Sequence, residues 1–231
     1  MEPQHGGNSR PHRRATAAGA VFAALLSRSG LLQDGLRPEP PALRALATWS
    51  GAIAGLLLIL VGGLVPAAIT LPQSGGWTLQ PLGVTLQVPA LLLTALVAGP
   101  RSALLTAVAY LSLGLFRLPV FYEGGGLGYL LDPGFGYLAG FVPAAWLTGK
   151  LVRRGGRQDP PALAAVAALG LLVIHLCGLT NLLLGALAGR WGENAAALLI
   201  RYSLALGPQL LLCCAVGLLA WPLRRLLLVS R

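Results

Sequence analysis

Val84–Phe141 reads VTLQVPALLLTALVAGPRSALLTAVAYLSLGLFRLPVFYEGGGLGYLLDPGFGYLAGF. Two apolar runs meet at a short turn, Gly99–Pro100–Arg101, and then open into a glycine-rich segment that carries two acids, Glu123 and Asp132. Apolar runs of this length, back to back across three turn residues, are the pattern of helices that cross a bilayer and return. The stretch therefore decides the class of the fold, and its polar end marks where the chain stops being generic hydrocarbon.

Composition agrees with that reading. Of 231 residues 55% are hydrophobic and only 10% charged, with a mean hydropathy of +0.73. Soluble domains carry roughly 25% charged residues, so a soluble protein of this make-up would have too little polar surface to cover itself. The expected architecture is an all-α membrane protein, a compact bundle of six transmembrane helices. The spans are Trp49–Ile69, Leu79–Ala98, Ser102–Leu118, Gly136–Leu151, Ala162–Leu187 and Gln209–Leu228. Pro81 and Pro89 loosen the second, and Gly207–Pro208 is expected to break the approach Asn194–Leu206 from the sixth. A helix restarting after that break would turn its positive end toward a cavity. Residues 1–45, rich in Arg, Pro and Gly at the start, read as a largely disordered basic tail, and residues 46–231 as the membrane domain. No clean signal-peptide pattern appears at the start.

A net charge of +10 would suggest nucleic acid in a soluble chain, but its distribution points to topology. Of the 17 basic residues, only Arg117, Arg190 and Arg201 fall in segments on one side of the spans. The others lie in the tail, at Arg101, in the Lys150–Arg157 turn or at the C-terminal end. Lys and Arg accumulate on the cytoplasmic side, so both termini are expected there, the protein in the plasma membrane, and the glycine-rich segment outside. No nucleic-acid partner is expected.

The outside segments hold the candidate ligand residues: Gln87 at the start of the second span, then Phe116, Arg117, Phe121, Tyr122, Glu123, Gly125, Tyr129, Asp132 and Tyr137. Apolar walls with a few orienting polar groups are the make-up of a small-molecule pocket, and equally of an interfacial aromatic belt. Inside the spans, polar groups are few. Asn181 and Gln209 are candidates for the ligand or for interhelical hydrogen bonds. His175 is expected to be structural, with no second His or acid at helical spacing to hold a metal. Cys177, Cys213 and Cys214 lie within apolar runs and read as inert thiols. Ala47, Gly51 and Gly55 recur every four residues on the first helix, which permits close helix approach inside the bundle or docking of a partner subunit. No GxSxG, HExxH, Walker motif or pair of intramembrane acids is present, which disfavours an enzyme. No cofactor is expected.

The stretch resembles the BioY family, the biotin-binding S component of energy-coupling-factor (ECF) vitamin transporters. Its pattern of TLQ, an apolar run ending in GPR, a second ending in LPVF, a glycine-rich loop and a GYLxGF segment is matched in order. Eleven residues lie between Gln87 and Gly99, as in the family. The resemblance covers about residues 49–155 well and the rest loosely.

It implies a compact six-helix S component that takes biotin from outside as a component of a transporter, or alone. The implied partners are a transmembrane coupling subunit and a pair of ATPases, with Ala47, Gly51 and Gly55 toward the coupling subunit. The C-terminal half departs from the pattern. Gln209 and Leu212 stand at the places of a family acid and lysine, Asn181 at that of a tryptophan, and Pro133–Gly136 reads PGFG in place of PTGG. Gln209, Asn181 or Arg117 is expected to take over the missing grip. A biotin precursor as ligand, or a non-transporting scaffold that reuses the fold, is the alternative.

Overall fold

The computed structural model describes residues 41–73, 76–116, 118–121, 124–155 and 159–227. The expectations for residues 1–40, Arg117, Tyr122 and Glu123 lie outside the described residues. The chain divides into Met1–Arg44 and Ala45–Arg231, and only the first turn of one helix is described in the former.

The fold is mainly helical. In order come α1 (Pro41–Leu64), a hairpin of β1 (Pro66–Gln73) and β2 (Gly76–Thr85), α2 (Gln87–Ala98), α3 (Pro100–Phe116), a 3₁₀ turn (Leu127–Leu131), α4 (Phe135–Ala139), α5 (Phe141–Arg154), α6 (Pro160–Leu187), a second 3₁₀ turn (Gly192–Asn194), α7 (Ala195–Leu204) and α8 (Leu206–Leu226). Three helical stretches are long and apolar enough to cross a membrane: 41–64, 160–187 and 195–226, the last made of α7 and α8 together. Their outward faces carry large apolar side chains such as Ile53, Leu57, Leu176, Leu183 and Leu218, the composition expected of a lipid-facing surface.

The hairpin corrects the second expected span. Leu79–Thr85 is strand, and the helix begins only at Gln87. Twelve helical residues rise about 18 Å, short of a ~30 Å hydrocarbon core. Proline is the reason. Pro81 removes a helix donor, whereas a two-stranded sheet has only edges, where proline is tolerated. The register runs from Gln73↔Gly76 to Ala68↔Pro81, then shifts before Pro66↔Thr85. Gly83, at φ +69°, lies within that shift, in the left-handed region that glycine enters without strain. Leu86 N–H donates to Val65 O (3.0 Å) and closes the base of the hairpin.

The core lies where α2, α3, α5, α6 and α8 meet, around Leu91, Leu92, Leu96, Ala103, Ala144, Ala167, Leu171 and Ala220. Alanine and glycine at these crossings let the helices approach closely, the usual device where lipid supplies no hydrophobic drive. Gly51 and Gly55 serve this purpose. A Cβ on Gly51 would stand 3.0 Å from Ala98 Cβ, and one on Gly55 would stand 2.6 Å from Thr106 Oγ1. Thr106 Oγ1 itself donates to Ala52 O (2.9 Å). The small-residue face of α1 is thus filled by α2 and α3, and of the three residues assigned to a partner subunit only Ala47 is exposed.

The other helices fall near their expected places, with three differences. The first runs Pro41–Leu64 and not Trp49–Ile69, because Pro66 stops it and Pro66–Ile69 belongs to β1. The fourth span is divided at Gly140 into α4 and α5. The break before the sixth lies at Ala205, three residues ahead of Pro208, which sits in the first turn of α8, where a missing donor costs little. Gln209 N–H donates to Ala205 O (3.2 Å), the first bond of the α8 ladder.

At one end of the bundle Arg224, only 3% exposed, donates from its guanidinium to Leu96 O near the C-terminus of α2. The Arg153 guanidinium lies over Gly99 at the same helix end. Cations there complement the helix dipole and its unpaired carbonyls. Lys150 stands over Trp146 (4.0 Å) and Arg225 over Trp221 (4.1 Å).

Candidate ligand-binding site

A cavity of about 400 Å³ opens among the hairpin, the start of α2, the α4–α5 junction, α6 and the α7–α8 segment. That volume lies in the roughly 300–1,000 Å³ range of small-molecule sites. Pro66, Pro81, Val84 and Thr85 make one wall; Val88, Leu138, Phe141 and Ile174 add apolar surface. The polar lining comprises Gln87, Tyr129, Tyr137, His175, Arg201, Tyr202 and Gln209.

Tyr137 is the centre of this arrangement. Its ring meets the His175 ring edge to face (centroids 5.5 Å, 88°) and stacks on Tyr202 (4.9 Å, 15°). Gly178 on α6 offers no side chain, and the Tyr137 ring lies against its backbone. His175, 5% exposed, approaches Leu171 O through Nδ1 at 3.2 Å. A carbonyl only accepts, so this contact assigns the hydrogen to Nδ1, and the neutral ring presents Nε2 as a lone-pair acceptor.

Among the described residues, five side-chain atoms are buried without a hydrogen-bond partner: Tyr137 Oη, Thr148 Oγ1, His175 Nε2, Gln209 Oε1 and Arg224 Nε. Three of the five belong to residues that line the cavity. A buried polar atom left unpaired costs about 1–3 kcal/mol, so native proteins rarely keep one without purpose. Three in one cavity make it the candidate site for a polar ligand group. The set is two acceptors, His175 Nε2 and Gln209 Oε1, and one hydroxyl that can donate or accept.

Gln87 is held from the other side. Its Nε2 donates to Tyr110 Oη (2.6 Å), whose own hydroxyl donates to Val120 O (2.9 Å). The cavity wall is thereby tied to the segment after α3. Phe121, 4% exposed, packs on Tyr110 (5.4 Å) and Tyr129 (4.7 Å) and fills the notch left by Gly114. Phe121 and Gly124 exchange two backbone hydrogen bonds, of 2.9 and 3.0 Å.

Of the sequence candidates, the fold gathers Gln87, Tyr129, Tyr137 and Gln209 at the cavity. It does not bring Phe116, Phe121, Gly125, Asp132 or Asn181 there. Phe116 points outward at 73% exposure. Phe121 is a wedge behind Tyr129. Gly125 lies against the end of α3, where a Cβ would stand 2.8 Å from Gly114 O. Asp132 Oδ1 accepts from Gly134 N–H (2.6 Å), and Asn181 Nδ2 donates to Pro133 O (3.1 Å). These two side chains shape the turn that enters α4; its glycine, Gly134, lines the cavity and they do not. Tyr122, Glu123 and Arg117 lie outside the described residues.

Sequence reasoning missed His175, Arg201 and Tyr202. His175 carried a signal, as a titratable group within an apolar run. For Arg201 and Tyr202 the signal was spacing. Arg201, Ala205 and Gln209 recur every four residues and all line the cavity from one helix face.

A helical membrane protein with a mostly apolar cavity and a few convergent polar groups is the class these features define. The BioY family model matches residues 40–228. The chain is 36% identical over 152 residues to a protein named biotin transporter BioY from Rhodobacter capsulatus, covering 64% of this chain and 74% of that one. It is 35% identical over 91 residues to a probable biotin transporter BioY from Lysinibacillus sphaericus, covering 39% of this chain and 46%, about half, of that relative's length. A crystal structure of the S-component for biotin from an ECF-type ABC transporter shares the fold, with a TM-score of 0.62 at 18% identity over 81% of this chain and 95% of the other. The chain belongs to the BioY family.

Proposed function

We propose that this protein binds biotin from the outside of the plasma membrane and serves its uptake, as the substrate-specific component of an ECF-type transporter. The observation that carries the reading is the unpartnered polar set in the cavity. Biotin's cyclic urea has two N–H donors and one carbonyl acceptor. His175 Nε2 and Gln209 Oε1 are two acceptors, and Tyr137 Oη supplies a donor. The apolar rings and chain of biotin suit the walls formed by Val88, Leu138, Phe141 and Ile174. Family membership and relatives named as biotin transporters support the same ligand.

Six membrane crossings with both termini cytoplasmic complete the proposal, in which α2, α3 and the α4–α5 pair cross as short or broken helices beside the three long stretches. The cation-poor outer side supports this orientation. The partners are then a transmembrane coupling subunit and two ATPases, because the chain has no nucleotide-binding motif of its own. Ala47, exposed on the first helix, remains a docking candidate.

The test is uptake of radiolabelled biotin in a biotin-auxotrophic host, with and without coexpressed coupling subunits, together with binding by purified protein. Tight binding and uptake that rises with the coupling subunits is the expected result. Absence of biotin binding by folded protein would overturn the reading in favour of a different ligand or a scaffold.

A further inference from the structure

Among the described residues that line the cavity, Arg201 is the permanent cation and none is a carboxylate. A cavity so composed favours an anionic ligand group. The position of that charge is also defined. His175 is nearly fully buried, Gln209 and Tyr137 are half-buried, and Arg201 is exposed. Polar groups that suit a neutral head therefore lie deep, and the cation lies at the mouth.

The helix provides the ruler. Arg201, Ala205 and Gln209 face the cavity on successive turns, and Ala205 keeps right-handed helical angles (φ −67°, ψ −19°) through the junction. Eight residues at the α-helical rise separate Arg201 from Gln209 by about 12 Å along the axis. An extended five-carbon acid chain on a bicyclic ring spans a separation of this order. Of the three basic residues in the outer segments, Arg190 does not line the cavity; it donates to Leu131 O (3.2 Å) in the turn before α4. Arg117 lies outside the described residues.

We propose that Arg201 is the specificity-determining cation that receives the carboxylate of the ligand at the cavity mouth. The ligand then enters head first and is selected as an anion. The inference rests on the biotin reading above. A guanidinium also matches the two oxygens of a carboxylate in a way an ammonium cannot.

The experiment compares biotin with biotinamide, its neutral amide, by calorimetry on the purified full chain in nanodiscs. The native protein is expected to prefer biotin. Arg201→Gln should weaken biotin by about 10- to 100-fold, the range of a charge-assisted hydrogen bond, and leave biotinamide nearly unchanged, so that the preference disappears. Tight biotin binding with an unaltered preference in Arg201→Gln would overturn the assignment and leave the biotin reading intact. Native protein that binds neither compound would overturn both. Should Arg201→Gln lose both ligands, Arg201→Lys decides: biotin binding restored in part supports the assignment, and none restored overturns it.

Discussion

Gln87 and Tyr110 meet at 2.6 Å, amide to phenol, and the phenol hands its own proton to Val120 O at 2.9 Å. One side chain of this pair lines the cavity, and the other is buried in the core. The pair joins the ligand wall to the polypeptide that leaves α3. Tyr110→Phe is expected to lower stability by about 1–3 kcal/mol, because the Gln87 amide and the Val120 carbonyl each lose a buried partner. Thermal unfolding of Tyr110→Phe, Gln87→Leu and the double variant checks this. The double variant should cost clearly less than the sum; additive losses would show that the pair does not act as a unit.

Gly114 and Phe121 make a notch and its wedge. Gly114→Ala places a methyl where the Phe121 ring lies, and overpacking of this kind costs about 1–3 kcal/mol. A lower melting temperature and weaker biotin binding are expected together, since the displaced ring supports Tyr129. Combining Gly114→Ala with Phe121→Leu should recover part of both losses. No recovery would mean that the ring and the notch are not coupled.

His175→Ala removes a deep acceptor that biotin and biotinamide would both use. Both affinities should fall, by about tenfold for one lost hydrogen bond, and their ratio should stay fixed. A change confined to biotin would place the carboxylate, and not the urea, at His175.

Asn181→Ala acts one step further from the ligand. Its amide holds Pro133 O, while Asp132 holds Gly134 N–H. Loosening this turn is expected to raise the dissociation rate of both ligands by a few-fold without altering their ratio. Calorimetry and stopped-flow dissociation distinguish this outcome from direct contact with the carboxylate, in which the two ligands would respond unequally.

Much of this was legible in the sequence because hydrophobic run length is a strong signal. The helices around Ala103, Ile174 and Val216 fall near their expected places. Leu79–Thr85 misled, because its apolar content continues smoothly into α2 while Pro81 and Gly83 favour strand and a register shift. The candidate site was half legible. Tyr129, Tyr137, Gln87 and Gln209 carried their signal in residue type and place. Asn181 and Asp132 looked equally apt and were taken up by backbone groups 48 and two residues away in the chain, respectively. Nothing in a linear sequence tells a side chain that serves a turn from one that serves a cavity. Arg201 was read only as a topology count, which hid that it shares a helix face with Gln209.

The stripe on α1 allows a separate check. Gly55→Leu should destabilise the isolated protein, since Thr94 and Thr106 occupy the space beside Gly55, and detergent-purified variant should aggregate on size exclusion. A well-behaved monomer that fails only to join other subunits would return Gly55 to the role of a docking residue.

The hairpin carries Pro66, Pro72 and Pro81 within two strands. Each proline deletes a donor from a ribbon that has nothing but edges. A ribbon so edited is a poor template for a third strand, whether from a neighbouring copy or an unfolding chain. The wall that the hairpin gives the cavity is thereby kept solitary, without zipping to its neighbours in a crowded membrane.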